Sequence, residues 1–412
     1  MKIIFVNCSD YGSTGKIIGD ISEYIYSLNE NHEMLLCTPQ IKGAEYKGLK
    51  KIKTSLKYEQ GIYRRISYLL GMRYGFAPLS TFKIKKIIKK HLPDIVHIHC
   101  TNGYTVNVYS LLKFIRRKDI PTVITNHAEF FYTGNCPYAF DCDKWIHGCG
   151  KCPNLFFASD SKWLDRTHTA WLKMKKAISN YNKLCVASVS PWVLSRSLQS
   201  PIMEGVKQKC ILNGIDTNTF MPSLNTENIR KKLGIDNSYK IIFHLTSGFS
   251  RKDKTMKGGY YLNELAKRFT NDKVFFIVAG KTFEESQSDN LKLLGQIFDQ
   301  KELAMYYSAA DLTVVTSRKE TFGMAVAESL CCGTPIVGFK SGGSESVAIK
   351  EFTQFVDFPD VDELEKIIRN KWLNFKNSEN NEEISLMAKK KYAREIMAGC
   401  YLDTYQEILD VY

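Results

Sequence analysis

The sequence predicts an α/β protein made of two doubly wound domains, each a parallel sheet covered by helices, and three observations carry that expectation. The 412 residues are enough for two domains that each bury a core of their own. Short apolar runs of strand length alternate with stretches of helical period along the sequence, the pattern of repeated strand–helix–strand units and hence of parallel sheets. With 44% hydrophobic and 24% charged residues the composition is that of a globular protein, and no run of about 20 apolar residues offers a membrane span.

In the first half the strand candidates are Ile3–Val6, Met34–Cys37, Asp94–His99, Thr122–Thr125 and Leu184–Ser188. Met1–Asn7 is only a short strand-like run without a secretory signal pattern, so a soluble, cytoplasmic protein is expected. Phe82–His91 (Phe-Lys-Ile-Lys-Lys-Ile-Ile-Lys-Lys-His) reads as a basic amphipathic helix. The second half offers Phe243–Leu245, Val274–Ala279, Leu291–Leu294, Leu312–Thr316, Ile336–Phe339 and Phe355–Asp357. Tyr392–Tyr412 has apolar residues at helical spacing and no strand after it. The expected organisation is a first domain over 1–215, a second over 216–392 and a closing helix over 393–412.

The most informative stretch is Glu320-Thr321-Phe322-Gly323-Met324-Ala325-Val326-Ala327-Glu328. It follows the buried-strand candidate Leu312–Thr316, so Glu320 falls in a strand-to-helix loop, where doubly wound sheets bind ligands. Gly323 lets backbone approach a ligand, the first helical turn offers free N–H groups, and Gly333-Thr334-Pro335 ends the helix. The stretch resembles the E-x7-E signature of retaining glycosyltransferases of family 4, two-domain enzymes of the GT-B fold that move sugars from nucleotide donors. That resemblance implies two Rossmann-like domains facing a cleft. It also implies that Glu320 and the amides of Thr321, Phe322 and Gly323 hold the donor sugar, while Glu328 takes the ribose hydroxyls. Ile211-Leu-Asn-Gly-Ile-Asp-Thr-Asn-Thr-Phe220 is similar to the segment that joins the two domains in that family, where the C-terminal helix crosses back to the first domain.

Three further places carry chemistry. Arg251 and Lys257, with five residues between them and Gly258-Gly259 after the lysine, match the family's cation pair for the donor diphosphate. Fixed cations stabilise the charge that builds on a leaving phosphate. Lys252 and Lys254 lie in the same stretch, and a basic surface loop is the plain alternative. Gly12 and Gly15, in Asp10-Tyr-Gly-Ser-Thr-Gly-Lys16, are not spaced as a Walker A loop. The resemblance implies a glycine-rich turn near the donor phosphate, against the alternative of a tight turn. His127 ends the strand candidate Thr122–Thr125, and Asn126-His127-Ala128-Glu129 is similar to the family's T-[LV]-H-D motif, whose histidine faces the sugar. Asn and Ala depart from that motif, with Glu129 one residue beyond the usual acid. His97 and His99 share one sheet face, and His99 lies nearer the strand end.

Twelve cysteines are present. Eight are scattered, as in reduced proteins, and four cluster as Cys136-x5-Cys142-x6-Cys149-x2-Cys152 within an insert over 136–153. Four thiolates are a ligand set for a structural zinc, with free thiols as the alternative. A similar insert occurs in glycosyltransferases related to colanic acid enzymes. Asp141-Cys-Asp143 and Asp360-Val-Asp362 spell the metal-binding D-x-D, but one falls in the cysteine insert and the other at a helix start. No cofactor is therefore expected for catalysis.

The net charge of +14 is concentrated. Residues 51–120 hold fifteen Lys or Arg against three acids, a net of +12. An anionic membrane face is the partner expected there, against a merely solvated helix face. No zinc finger, RNP motif or helix-turn-helix accompanies the charge, so nucleic acid is not expected. The resemblance implies a retaining transferase that uses a UDP- or GDP-type donor, a glycan or lipid-linked acceptor and no divalent cation. A nucleotide-sugar epimerase of the same fold and a non-catalytic glycan-binding protein remain as alternatives.

Overall fold

The computed structural model describes residues 1–223, 226–254, 256–282, 284, 288–375 and 377–410. The chain divides into two compact units, one of Met1–Gly214 with Glu395–Tyr412, the other of Ile215–Arg394.

In the first unit, seven strands form one sheet: β1 (Lys2–Val6), β2 (Glu33–Thr38), β3 (Leu49–Lys53), β4 (Ile95–Ile98), β5 (Thr122–Asn126), β6 (Leu184–Ser188) and β7 (Lys207–Cys210). Their order is β3-β2-β1-β4-β5-β6-β7, and every pair is parallel. Two of these strands escape a reading by apolar runs. Leu49-Lys-Lys-Ile-Lys53 and Lys207-Gln-Lys-Cys210 are the sheet edges, where lysines serve to discourage further pairing. The central strands carry the apolar runs because helices cover both their faces.

The first unit's core joins Ile3 and Phe5 of β1 to Ile17, Ile18, Ile21 and Ile25 of the helix Gly12–Leu28. Met397, Ala398, Tyr401, Tyr405 and Ile408 of the final helix Arg394–Asp410 belong to the same core. Spacings of four, four and three from Met397 put these side chains on one face, so the end of the chain packs into the first unit. Tyr412, the expected end of this helix, lies outside the described residues. The basic helix runs over Pro78–His91, longer than expected; it buries Ile84, Ile87 and Ile88 and exposes Phe82, Lys83, Lys86, Lys89 and Lys90.

The second unit holds β8 (Lys240–Leu245), β9 (Val274–Ala279), β10 (Leu291–Gly295), β11 (Leu312–Val315), β12 (Ile336–Phe339) and β13 (Thr353–Val356). They are parallel in the order β10-β9-β8-β11-β12-β13. In each sheet the building direction reverses once, between β1 and β4 and between β8 and β11. At such a reversal the loops leaving the two strands diverge and open a crevice at their carboxyl ends. No helix among the described residues is long and apolar enough to cross a membrane.

Candidate functional site

Lys257 and Glu320 come from the two loops that leave the second sheet at its reversal, one after β8 and one after β11. The Lys257 ammonium donates to Glu320 Oε1 at 2.7 Å, with side chains 28% and 18% exposed. Backbone fixes both ends. Gly258, at φ +69°, caps the helix Gly259–Arg268, and a Cβ there would overlap the Thr316 carbonyl. Only glycine lets the Lys257 turn lie against the end of β11, and Thr316 Oγ1 donates to the Lys257 carbonyl at 3.1 Å. The amides of Met256 and Lys257 donate to Asp253. On the other side Glu320 N–H donates to the Ser341 carbonyl at 3.0 Å, and Gly343 N–H donates to the Glu320 carbonyl at 2.8 Å.

The rest of the E-x7-E stretch has mixed roles. Thr321 and Phe322 are buried. Gly323, at φ +87°, precedes the helix Met324–Cys331. Glu328 is half-buried in that helix, where its Oε2 accepts from Tyr307 at 3.1 Å. Arg251 forms a separate cluster: it pairs with Glu284 at 3.4 Å and donates through Nε to Asn263. The structure thus joins Lys257 to Glu320, while Arg251 has a carboxylate of its own. Sequence reasoning passed over Glu284 and the Ser341–Glu345 loop. The Ser341 and Ser344 hydroxyls are fully buried and have no hydrogen-bond partner among the described residues, and Glu345 accepts from the Ser341 and Gly342 amides. The pair Gly342-Gly343 ahead of a capping glutamate was the signal available.

In the first unit, Gly12 is exposed at φ +71° where the helix Gly12–Leu28 begins. Gly15 is buried, and a Cβ there would press on the Asp10 backbone at 2.5 Å, so close helix packing requires that glycine. The Asp10 carboxylate is itself buried and accepts from the Lys42 and Gly43 amides and from Lys51 at 2.9 Å. His127 is half-buried just past β5, with Nε2 3.0 Å from His99 Nδ1. Burial holds its pKa down to about 3. Glu129 is structural: fully buried, it pairs with Arg196 at 2.6 Å and accepts from Tyr132 and the Ala139 amide. It thereby ties the start of the cysteine insert to the helix Pro191–Leu198.

Cys136, Cys142, Cys149 and Cys152 are half-buried free thiols. Burial pushes the Cys136 thiol up, and nearby Cys152, Cys149 and Cys142 add to the rise. Burial likewise pushes Cys149 up to about 12. Among the described residues no group of three or more His, Cys, Asp or Glu side chains is placed to hold a metal ion. Protein contacts pin the insert, including His168 Nδ1 with the Gly148 carbonyl at 2.6 Å and Cys152 N–H donating to Asp165 at 2.6 Å. In the second D-x-D, Asp360 caps the helix Val361–Ile367 by accepting from the Glu363 amide at 2.9 Å.

Residues 26–219 match the family model described as Glycosyltransferase Family 4, and residues 225–391 match the one described as Glycosyl transferases group 1. A protein of Escherichia coli (strain K12), provisionally assigned as the colanic acid biosynthesis glycosyl transferase WcaC, is 22% identical over 321 residues, covering 77% of each chain. Among solved structures, the sucrose-phosphate synthase of Thermosynechococcus elongatus aligns over 100% of both chains, with TM-score 0.70 and 15% identity. HepE of Anabaena, solved in complex with UDP and glucose, aligns over 99% of this chain and 100% of its own, with TM-score 0.64 and 17% identity. At such identities the structures speak for the fold alone, and that fold is GT-B. With a family 4 domain followed by a group 1 domain, the chain belongs to the glycosyltransferases built in that order.

Proposed function

We propose that the protein is a retaining glycosyltransferase that moves a sugar from a UDP- or GDP-type donor to a hydroxyl of a glycan or lipid-linked saccharide in polysaccharide biosynthesis. One observation carries the reading: the Lys257–Glu320 pair at the sheet reversal of the second unit. A cation and a carboxylate side by side suit a sugar diphosphate, which offers anionic oxygens to the ammonium and hydroxyl donors to the carboxylate. The polysaccharide setting is taken from the relative assigned to colanic acid biosynthesis, and the UDP-type donor from the HepE complex.

In this reading Glu320 orients the donor sugar, with the amides of Thr321, Phe322 and Gly323 beside it. Glu328 takes the ribose hydroxyls once Tyr307 gives way or shares its carboxylate. Lys257 and Arg251 stabilise the departing diphosphate, and Arg251 first leaves Glu284. As the bond from the anomeric carbon to the phosphate oxygen breaks, the acceptor hydroxyl bonds to that carbon on the same face. Its proton passes to the leaving phosphate, so no enzyme carboxylate becomes covalently attached. On the first unit, His127 is the group suited to a sugar hydroxyl, and the turn of Gly12 and Gly15 the one suited to a phosphate. No divalent cation takes part. Incubation with a panel of UDP- and GDP-sugars, with and without lipid-linked acceptors, is expected to give product only when acceptor is present, at a rate unchanged by EDTA. Conversion of donor alone would indicate an epimerase, and no turnover with any pair a binding protein.

The reading also places the protein in the cytoplasm, peripheral to an anionic membrane through residues 51–120. On the helix Glu59–Leu70, Ile62, Arg65 and Leu69 are exposed at helical spacing. Leu79 and Phe82 are exposed on the neighbouring basic helix. Apolar side chains set among cations suit an interface helix, where each Lys or Arg contributes about 1 kcal/mol. Liposomes rich in phosphatidylglycerol are expected to carry the protein upward in flotation at low salt and less so at physiological salt. Absence from the floating fraction at both would remove the membrane face.

A further inference from the structure

Cys8 and Cys100 meet where the first sheet reverses. Cys8 lies two residues past β1 and Cys100 two residues past β4, the neighbouring strands between which the building direction turns. The Cys8 N–H donates to the Cys100 carbonyl at 2.7 Å. Adding the covalent bonds from each Cα to that N and O leaves the two Cα atoms less than about 7 Å apart, within the reach of a disulfide that needs no backbone movement. Neighbouring bonds fix the arrangement. The Cys100 amide donates to Asn7 Oδ1 at 2.9 Å, and Asn7 Nδ2 donates in turn to the Ser9 carbonyl at 2.7 Å and to Thr14 Oγ1 at 3.0 Å.

The side chains meet as well. The two thiols share a hydrogen bond, which pushes Cys100 down and, together with burial, pushes Cys8 up. Burial alone acts the other way on a thiol, and it pushes Cys37, Cys185 and Cys331 up. Cys100 is thus the more easily ionised of the pair, and it is buried, whereas Cys8 is half-buried and open to a small reagent. An accessible thiol beside a thiol that ionises readily is the arrangement in which one sulfur is oxidised and the other resolves it.

We propose that Cys8 and Cys100 are a reversible oxidation site: a peroxide converts Cys8 to a sulfenic acid, and Cys100 closes it to a disulfide that ties together the two loops leaving the sheet at its reversal. In the first step the Cys8 thiol takes one oxygen from the peroxide, and water leaves. In the second the Cys100 sulfur bonds to the Cys8 sulfur as the S–O bond breaks, and the departing hydroxide leaves as water with the proton that Cys100 gave up. One peroxide is reduced as two thiols are oxidised, and a thiol reductant reverses the bond by exchange. None of this rests on the sugar chemistry proposed above. Peptide mapping of folded protein treated with a graded series of hydrogen peroxide, then alkylated, reads the site. Trypsin releases residues 3–16 and 91–113, each with a single cysteine. The expected product is these two peptides joined, two hydrogens lighter than their sum, formed while the protein is native and lost on treatment with dithiothreitol. In Cys100→Ser the sulfenic acid on Cys8 has no thiol to close it, and dimedone is expected to label residues 3–16 severalfold more than in the wild type. Absence of the joined peptides at every peroxide level, Cys100 joined to a different cysteine, or equal dimedone labelling in the two proteins would overturn the site.

Discussion

Lys257→Ala and Glu320→Ala are each expected to lower sugar transfer at least a hundredfold while the protein stays folded. A factor of about a hundred corresponds to about 2.7 kcal/mol of transition-state stabilisation, within the range for removing one preorganised electrostatic contact at a site of developing charge. The cost to folding should be far smaller. Both side chains are partly exposed, and ion pairs open to solvent contribute about 0–1 kcal/mol. The backbone bonds of Glu320 to Ser341 and Gly343 survive either substitution. Initial rates with the donor that works, set beside the thermal midpoint of each variant, separate lost chemistry from lost structure. Near-normal rates in both variants would refute the site.

Acid should loosen the first unit well before it affects an ordinary protein. His97 and His99 are buried side by side, with His127 beyond them. Around His97 stand Phe5, Thr125, Tyr401 and Tyr405, none of which carries a charge to compensate a proton. Burial holds the folded pKa values of His97 and His99 below the unfolded value of about 6.5, so the unfolded chain binds protons first as pH falls. Stability is therefore intact above about pH 6.5 and is lost below it, at about 1.4 kcal/mol per pH unit for each such histidine. Between pH 6 and 5 two such rings remove about 3 kcal/mol, a large share of the 5–15 kcal/mol typical of a folded domain. Thermal midpoints measured from pH 7.5 down to 4.5 should fall steeply. The same series on His97→Gln/His99→Gln should be flatter, and parallel curves would mean that another group drives the acid loss.

The helices and central strands were legible because they obey simple periods. Buried parallel strands such as Ile3–Val6 and Val274–Ala279 read as apolar runs, and Ile84, Ile87 and Ile88 recur at helical spacing. The edge strands β3 and β7 were not, since a strand bonded on one side is half solvated and its lysines hide the pattern. Glu320 and Lys257 stood out as candidates because the E-x7-E stretch and a lysine before a glycine pair resemble the family's pattern, and the structure brings the two side chains together. Glu284 gave no local sign, because its meaning lies in a bond to Arg251, a residue 33 positions earlier in the chain.

Sequence by itself determined the architecture of parallel sheets covered by helices and which loops carry the charged groups, because these follow from local periodicity and turn chemistry. Tertiary structure alone decided which charges meet. Lys257 and Glu320 are 63 residues apart and lie 2.7 Å from one another, whereas the equally plausible Arg251 is held by Glu284. It also decided that a tyrosine at the end of the chain reaches a histidine 308 residues earlier. A hydrogen bond depends on separation in space, and no periodicity along the chain encodes the separation of two atoms that only folding brings together.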